Sequence, residues 1–357
     1  MGWRAPLRTT ARTVRLLGDT VRGMLDVGHG TANIIVRLSL AFFCFGLILQ
    51  ALSNAADPYR CGALIGHGSW PPYTPPKVDA AVDYEQLESL QRQGRELPPA
   101  RPFDKWEPAG CRMHEYSRDD IRECLGGKRV LFVGDSTMRV LFFAALTRLE
   151  HEAAEWLLRT TFTEKNPRHD LAIDSETVQL QFIWDPWLNS TAFEKEMRHF
   201  EPGADKNKDL EAADKPDLVI IGSVGLWAAR NAADNMYFDT FRATTDRVAR
   251  LMSDTVQPFG KQKTPNYVFL APVQIPRYEL LLPGRVEALS HERIARMNNY
   301  LGSLPPAVQS HILTAYNDMT YHTPEAFEDT GLHVADTVAE RWIDVPLNAR
   351  SKDGMLD

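Results

Sequence analysis

Two short stretches far apart in the chain carry the residue types that acyl chemistry needs: Gly134-Asp135-Ser136, and Glu328-Asp329-Thr330-Gly331-Leu332-His333. A serine hydroxyl is a weak nucleophile until a base takes its proton, and an imidazole is the usual base. A carboxylate a few residues from that imidazole on one turn can hold its tautomer and stabilise its charged form. Ser136 directly follows the apolar run Val130-Leu131-Phe132-Val133 and precedes a helix-like run from Thr137 to about Leu149. That position puts the hydroxyl at the carboxyl end of a buried strand, beside a helix N-terminus whose amides favour developing negative charge. Serine is also a favoured helix-capping residue, so the triplet alone fits a cap as well as a nucleophile. His333 alone equally fits an exposed loop histidine. The acyl reading requires the two side chains to meet at one rim of a sheet.

The elements around them predict such a sheet. Val130–Val133, Val178–Ile183, Leu218–Ile221 and Tyr267–Leu270 read as buried strands, and Ile312-Leu313 as the start of another. Helical stretches are expected over 137–149, 191–200, 236–253 and 290–303. Strands alternating with helices predict a parallel α/β sheet covered on both faces, with its sites at the carboxyl ends of the strands. Residues 54–110, rich in Pro, Gly and charge and including Trp70-Pro71-Pro72-Tyr73-Thr74-Pro75-Pro76, read as a stalk and irregular lead-in. Residues 111–350 form the expected catalytic domain, and 351–357 a tail.

At 357 residues and 44% hydrophobic, the chain can bury one sizeable core. Of the formal net charge of −7, residues 1–37 contribute +4 (six Arg against Asp19 and Asp26), leaving −11 for the rest. An acidic body argues against a nucleic-acid partner. Residues 34–53 are almost uncharged, with Arg37 able to snorkel, and just long enough to cross a bilayer; a cleaved signal peptide and a buried core helix are the alternatives, but the run lacks a polar face and the Arg-rich segment before it is long for a signal. Such a signal-anchor leaves a basic tail, 1–33, in the cytosol and the body in the lumen, a single-pass type II arrangement. Asn189-Ser190-Thr191 is a glycosylation sequon. Beyond Cys44 in the anchor lie Cys61, Cys111 and Cys124, so at most one disulfide is expected there, its pairing open. No His-x-x-x-His or Cys-x-x-Cys pair occurs, and neither does a phosphate-binding loop or dinucleotide fingerprint. No metal and no cofactor are therefore expected.

The chain from about Asp57 to Arg350 resembles the lumenal domain of the fungal capsule and sialate O-acetyltransferase family, and more distantly the plant trichome-birefringence-like polysaccharide O-acetyltransferases. The matching stretches are DPYRCGAL (57–64), GCRMHEYSRDDIRECLGGKRVLFVGDSTMR (110–139), WDPWLNST (184–191), GLWAARN (225–231), APVQIPRYELL (271–281), ERIARMNNYL (292–301) and DTGLHVADTVAERWIDVPLNAR (329–350). The resemblance implies an SGNH (GDSL-like) three-layer α/β/α sandwich in the Golgi lumen. It also implies acetyl transfer to a glycan hydroxyl through an acetyl-serine, with hydrolysis of acetyl esters or glycan binding without catalysis as the alternatives.

By that resemblance Ser136 is the nucleophile and His333 the base. The family pattern Asp-x-x-His would place the acid at position 330, where this chain has Thr330, so the role passes to Asp329, with Glu328 as the other carboxylate on the turn. The oxyanion donors expected are the Ser136 amide and a backbone amide of Gly222 or Gly225. Trp227 could wall a sugar site or simply be buried, and Arg139, one helical turn beyond Ser136, could support the site. Longer relatives continue past Leu-Asn-x-Arg into a Cys-Asn pair and a multi-span membrane acyltransferase unit. This chain reads Leu347-Asn348-Ala349-Arg350-Ser351 and stops at Asp357, which leaves two expectations open: a deacetylating esterase, or a separate membrane protein that supplies acetyl groups.

Overall fold

A computed structural model describes residue 43 and residues 66–71, 103, 105–109, 111–163, 168–174, 178–200, 215–222, 224–232, 236–255, 267–321, 323–328 and 330–350. The chain divides into two compact units, Met1–Pro58 and Tyr59–Asp357. In the first only Phe43 is described; it is helical and exposed. The anchor expected over 34–53 otherwise lies outside the described residues. Among those residues no helix is long and apolar enough to cross a membrane.

The second unit opens on an antiparallel ribbon of β1 (Gly68–Ser69) and β2 (Glu107–Pro108). Helix α1 (Arg118–Leu125) starts from a capping box in which the Ser117 hydroxyl accepts from the Asp120 amide and the Asp120 carboxylate accepts from the Ser117 amide. Five strands then make one sheet: β3 (Lys128–Gly134), β4 (Leu171–Asp174), β5 (Val178–Trp184), β6 (Leu218–Ile221) and β7 (Tyr267–Leu270). Their spatial order is β4-β5-β3-β6-β7, parallel throughout except for the antiparallel edge strand β4. Between β3 and β4 run α2 (Ser136–Leu149) and α3 (His151–Thr163), and after β5 comes α4 (Thr191–Met197). After β6 come α5 (Gly225–Asn231) and α6 (Tyr237–Thr255). Beyond β7 lie α7 (Pro283–Ala288), α8 (His291–Gly302), α9 (Pro306–Gln309), α10 (Ala315–Tyr321) and α11 (Asp336–Arg350).

Because strand side chains alternate, β3 feeds two cores at once. Val130 and Phe132 join Phe182 and Ile220 on one face, covered by Leu141 and Phe142 of α2 and Trp342 of α11. Leu131 and Val133 join Ile183, Val219 and Ile221 on the other, covered by Phe193 of α4, Phe241 of α6 and Met297 of α8. Each such side chain contributes about 1.5–3 kcal/mol on burial. The result is a mixed α/β sandwich with a mostly parallel sheet, as the alternation of strand and helix signals predicts.

Three features differ from the sequence expectation. Ile312 makes only a single parallel bridge to Leu270, not a strand. Strand β4 was not expected, because its four residues carry too short an alternation to stand out from a loop. Helix α11 runs through Pro346, which removes the amide that would bond the Trp342 carbonyl. The Tyr316 hydroxyl donates to that carbonyl instead, at 3.1 Å, while its ring stacks on Trp342.

Where it is described, the lead-in is docked on the body, unlike a free stalk. Trp70 packs edge-on against Phe103 and Trp106, and its indole N–H donates to the Met319 carbonyl at 2.8 Å. Just past the lead-in, His114 is tied to α11 by Asn348, which accepts from the His114 amide at 2.8 Å and donates to the His114 carbonyl at 2.9 Å. Cys111 is disulfide-bonded, whereas Cys124 is a buried thiol.

Candidate functional site

Strand β3 is central in the sheet, so its carboxyl end opens between the neighbouring β5 and β6. The turn into α2 is tight. Gly134 has φ +148°, and a Cβ there would lie 2.8 Å from Met138 Cγ and 3.3 Å from Gly222 Cα. Asp135, not Ser136, caps α2: its carboxylate accepts from the Thr137 amide at 2.9 Å. The cap being filled by its neighbour, Ser136 stands as the first helical residue, half-buried, and its amide has no acceptor within the helix. Burial holds the Asp135 carboxyl above its usual range, opposed by the Thr137 hydrogen bonds and the charge of Arg230.

His333 reaches the same rim. Its Nε2 lies 2.8 Å from Ser136 Oγ. The loop that presents it is a pinched turn, bridged between Phe327 and Val334 and closed by the Glu328 amide on the His333 carbonyl at 3.0 Å. Gly331 sits at its tip with φ +65°, where a Cβ would lie 2.5 Å from the Arg277 carbonyl oxygen. The segment after β7 holds this turn from outside. The Arg277 amide donates to the Gly331 carbonyl at 2.8 Å, and buried Gln274 donates through Nε2 to the Leu332 carbonyl at 2.9 Å.

The far side of the imidazole is less closely held. Its Nδ1 lies 3.9 Å from Glu328 Oε2, beyond hydrogen-bond reach, and the Glu328 side chain is 44% exposed. Thr330 is exposed and its hydroxyl faces the Leu332 amide at 3.4 Å, a turn contact. Asp329 lies outside the described residues. Burial pushes the His333 imidazole down to about 4, helped by the charges of Arg139, Arg285 and Arg230. The imidazole is thus neutral, and able to accept a proton, over the whole ordinary pH range.

The remaining expected residues fall into two groups. The Gly222 amide donates to the Val133 carbonyl at 2.7 Å, so the sheet already uses one of the two glycine amides expected to serve the oxyanion. A Cβ on Gly222 would sit 2.6 Å from Met138 Cγ, and one on Gly225 2.2 Å from Val273 Cγ2, so both glycines are needed for close packing at this rim. Arg139 and Trp227, by contrast, belong to one cluster. The Arg139 guanidinium lies 5.5 Å from the centroid of Trp184, which meets Trp227 edge-on at 6.0 Å. Arg168 and Arg230 lie 5.5 and 5.9 Å from the Trp227 centroid. Asn189 of the sequon is exposed, just before Ser190 caps α4. Among the described residues no group of His, Cys, Asp or Glu is placed to hold a metal ion.

Sequence reasoning missed Trp184, Arg168, Arg230, Arg285 and Gln274. Trp184 was visible as the residue ending a strand, the position that faces a site in a parallel sheet. The others gave no local signal, because nothing near them in sequence marks which loops converge.

Residues 106–256 match the profile of the family described as NXPE family member 4-like, C-terminal domain. The chain is also 25% identical over 195 residues to the N-acetylneuraminate (7)9-O-acetyltransferase of Danio rerio. That match covers 54% of this chain and 22% of the relative.

Proposed function

We propose that this chain is a serine-dependent glycan O-acetyltransferase of SGNH type, working through an acetyl-serine intermediate. The 2.8 Å contact of His333 Nε2 with Ser136 Oγ carries the reading, because it gives a weak nucleophile its base. A distant relative that is a sialate O-acetyltransferase supports the glycan acceptor.

In the first half-reaction Ser136 Oγ attacks the carbonyl carbon of an acetyl donor while His333 Nε2 takes its proton. The negative charge that develops on the carbonyl oxygen lies at the head of α2, where the Ser136 amide can donate to it. Collapse expels the donor's leaving group, which takes the proton from His333, and leaves acetyl on Ser136. In the second half-reaction a sugar hydroxyl gives its proton to His333 and attacks the acetyl-serine. The acetyl ester of the glycan leaves and Ser136 is reprotonated. Asp329 is proposed as the carboxylate that supports His333, and Asp329→Asn should then cost several orders of magnitude in turnover. No cofactor or metal is proposed; the acetyl donor is a substrate. The body is proposed to face the Golgi lumen, carried by an anchor over 34–53 and glycosylated at Asn189.

A fluorophosphonate probe tests the nucleophile: labelling of the native protein should vanish in Ser136→Ala. No labelling of the native protein sinks the catalytic reading and leaves a glycan-binding one. Incubation with an acetyl-ester donor and an oligosaccharide tests the acceptor. Acetylated sugar is the expected product; free acetate alone at high acceptor concentration would make the chain an esterase.

A further inference from the structure

The main chain leaves the sheet just before the segment that holds the His333 turn, and one side chain fixes it there. The β6–β7 pairing ends at Ile221 and Leu270, extended by a bond from the Ala271 amide to the Ile221 carbonyl at 2.8 Å. Two residues later both backbone groups of Val273 are taken by Asn298 of α8. Its Oδ1 accepts from the Val273 amide at 3.0 Å, and its Nδ2 donates to the Val273 carbonyl at 2.8 Å. The carboxamide thus pairs with Val273 as a residue of a further strand would, exchanging both bonds.

Val273 is fully buried, and its side chain fits so closely against α5 that a Cβ on Gly225 would lie 2.2 Å from its Cγ2. It is therefore held from two directions, by α8 and by α5. Helix α8 is itself firm, with Ile294, Met297 and Leu301 in the core and the Arg293 guanidinium on the Ala229 carbonyl at 3.2 Å. Both holds on the histidine turn start immediately downstream. Gln274, the next residue, donates to the Leu332 carbonyl, and the Arg277 amide donates to the Gly331 carbonyl.

We propose that Asn298 is a positioning residue for His333, pinning the extension of β7 from which Gln274 and Arg277 hold the histidine turn. This inference rests on the acyl-transfer reading of Ser136 and His333 and adds to it how the base is kept within reach of the nucleophile. Val273 offers one donor and one acceptor away from water, so an amide satisfies both, a leucine neither, and a carboxylate only the donor. Without the pin the backbone from 273 onward shifts to find other partners and carries the turn with it. A displacement of about 1 Å at a reacting atom is enough to cost about a hundredfold in rate.

The test compares the full-length native protein with Asn298→Leu and Asn298→Asp, and with Asn299→Leu at the exposed neighbouring position as a control. Turnover of an acetyl ester should fall about thirtyfold in Asn298→Leu and about tenfold in Asn298→Asp, with KM unchanged. The rate of fluorophosphonate labelling should fall by the same factors, because it needs the same proton transfer. Asn298→Leu combined with Gln274→Met should be no slower than Asn298→Leu alone, since one residue acts through the other. Amide exchange over the His333 turn, followed by mass spectrometry, should quicken in both Asn298 variants. Asn299→Leu should leave all of these unchanged. Multiplied losses in the double variant, a raised KM with native kcat, or unchanged exchange at the turn each overturn the inference. So does a lowered melting temperature with native turnover in the folded protein, which is the mark of a purely structural role. The two proposals fail differently. A native protein that neither labels nor turns over loses the acyl reading, while quickened exchange in the Asn298 variants keeps the pin on the turn. Native labelling, with native rates in both Asn298 variants, keeps the acyl reading and removes Asn298 from it.

Discussion

The two halves of the site are held in place by different means. Ser136 is fixed by regular structure: a central parallel strand ends at Gly134, Asp135 caps the next helix, and both flanking strands pair through the ladder. His333 rides on a loop whose position is borrowed from another loop, through the Arg277 amide on Gly331 and the Gln274 side chain on Leu332. The backbone that carries Ser136 can be displaced only by damaging the fold. The second half can be displaced while the fold survives, and substitutions should tell the two apart.

The largest effect is expected from the reacting groups themselves. Ser136→Ala and His333→Ala should each lower acetyl transfer by at least about a thousandfold, and the double variant should be no worse than either single one. Both lie at the surface of the rim and not in a core, so the melting temperature should hardly move. Additive losses would mean that the two side chains do not act as one unit.

Gly134 and Gly331 test the contrast directly. Gly134→Ala places a methyl against Met138 and the backbone of Gly222, so it should lower the melting temperature along with activity. Gly331→Ala meets the Arg277 carbonyl at the tip of the His333 turn, and should lower turnover about a hundredfold while the melting temperature changes by a few degrees at most. Equal thermal damage from both would sink the claim that the histidine loop moves independently of the core.

The same contrast explains what the sequence revealed. The apolar runs of β3, β5, β6 and β7 and the helices after them were legible because burial on both faces leaves a continuous local signature. Ser136 was legible with them, as its geometry follows from the strand-to-helix turn. His333 stood out by the carboxylates on its own turn and by resemblance, but its meeting with Ser136 depends on where loops after β7 and before α11 lie, which no local pattern encodes. Gln274 and Arg285 were missed for the same reason. Of the two glycines expected to offer an oxyanion donor, Gly222 has its amide in the continuation of the β3–β6 pairing, a register detail the sequence does not display.

A smaller displacement of the histidine is expected from Gln274→Met. The thioether keeps the volume but cannot donate to the Leu332 carbonyl, which is left buried and unpaired. Turnover should fall about tenfold with KM unchanged, since Gln274 positions the base and need not touch a ligand. A rise in KM with constant kcat would mean that it contacts substrate.

The acid limb of the pH profile measures the surroundings of His333. The groups that face it are Glu328 from its own loop and Arg139, Arg230 and Arg285 from α2, α5 and α7, with Asp135 acting on the arginines. Because burial and these cations push its pKa down to about 4, activity on a neutral substrate should persist well below pH 6. Arg230→Ala with Arg285→Ala should move the limb upward, toward the ordinary histidine value. Stability follows the same sign: the folded state favours neutral imidazole, so its contribution is complete above about pH 6.5 and is lost as pH falls through 4. An acid limb near pH 6.5 in the unsubstituted protein would contradict the burial of this side chain.

The smallest effect is expected at Glu328. Its carboxylate lies 3.9 Å from His333 Nδ1 and faces solvent, so it makes no hydrogen bond that fixes a tautomer. An exposed pair of that kind contributes at most about 1 kcal/mol. Glu328→Gln should therefore change turnover by no more than about fivefold. A true triad carboxylate would cost about 10⁴, so the two possibilities are far apart on the scale of the measurement. A loss of a hundredfold or more would mean that the loop closes around bound substrate and brings Glu328 onto Nδ1. In that case the looser half of the site would be completed by the ligand, while Ser136 stood ready without it.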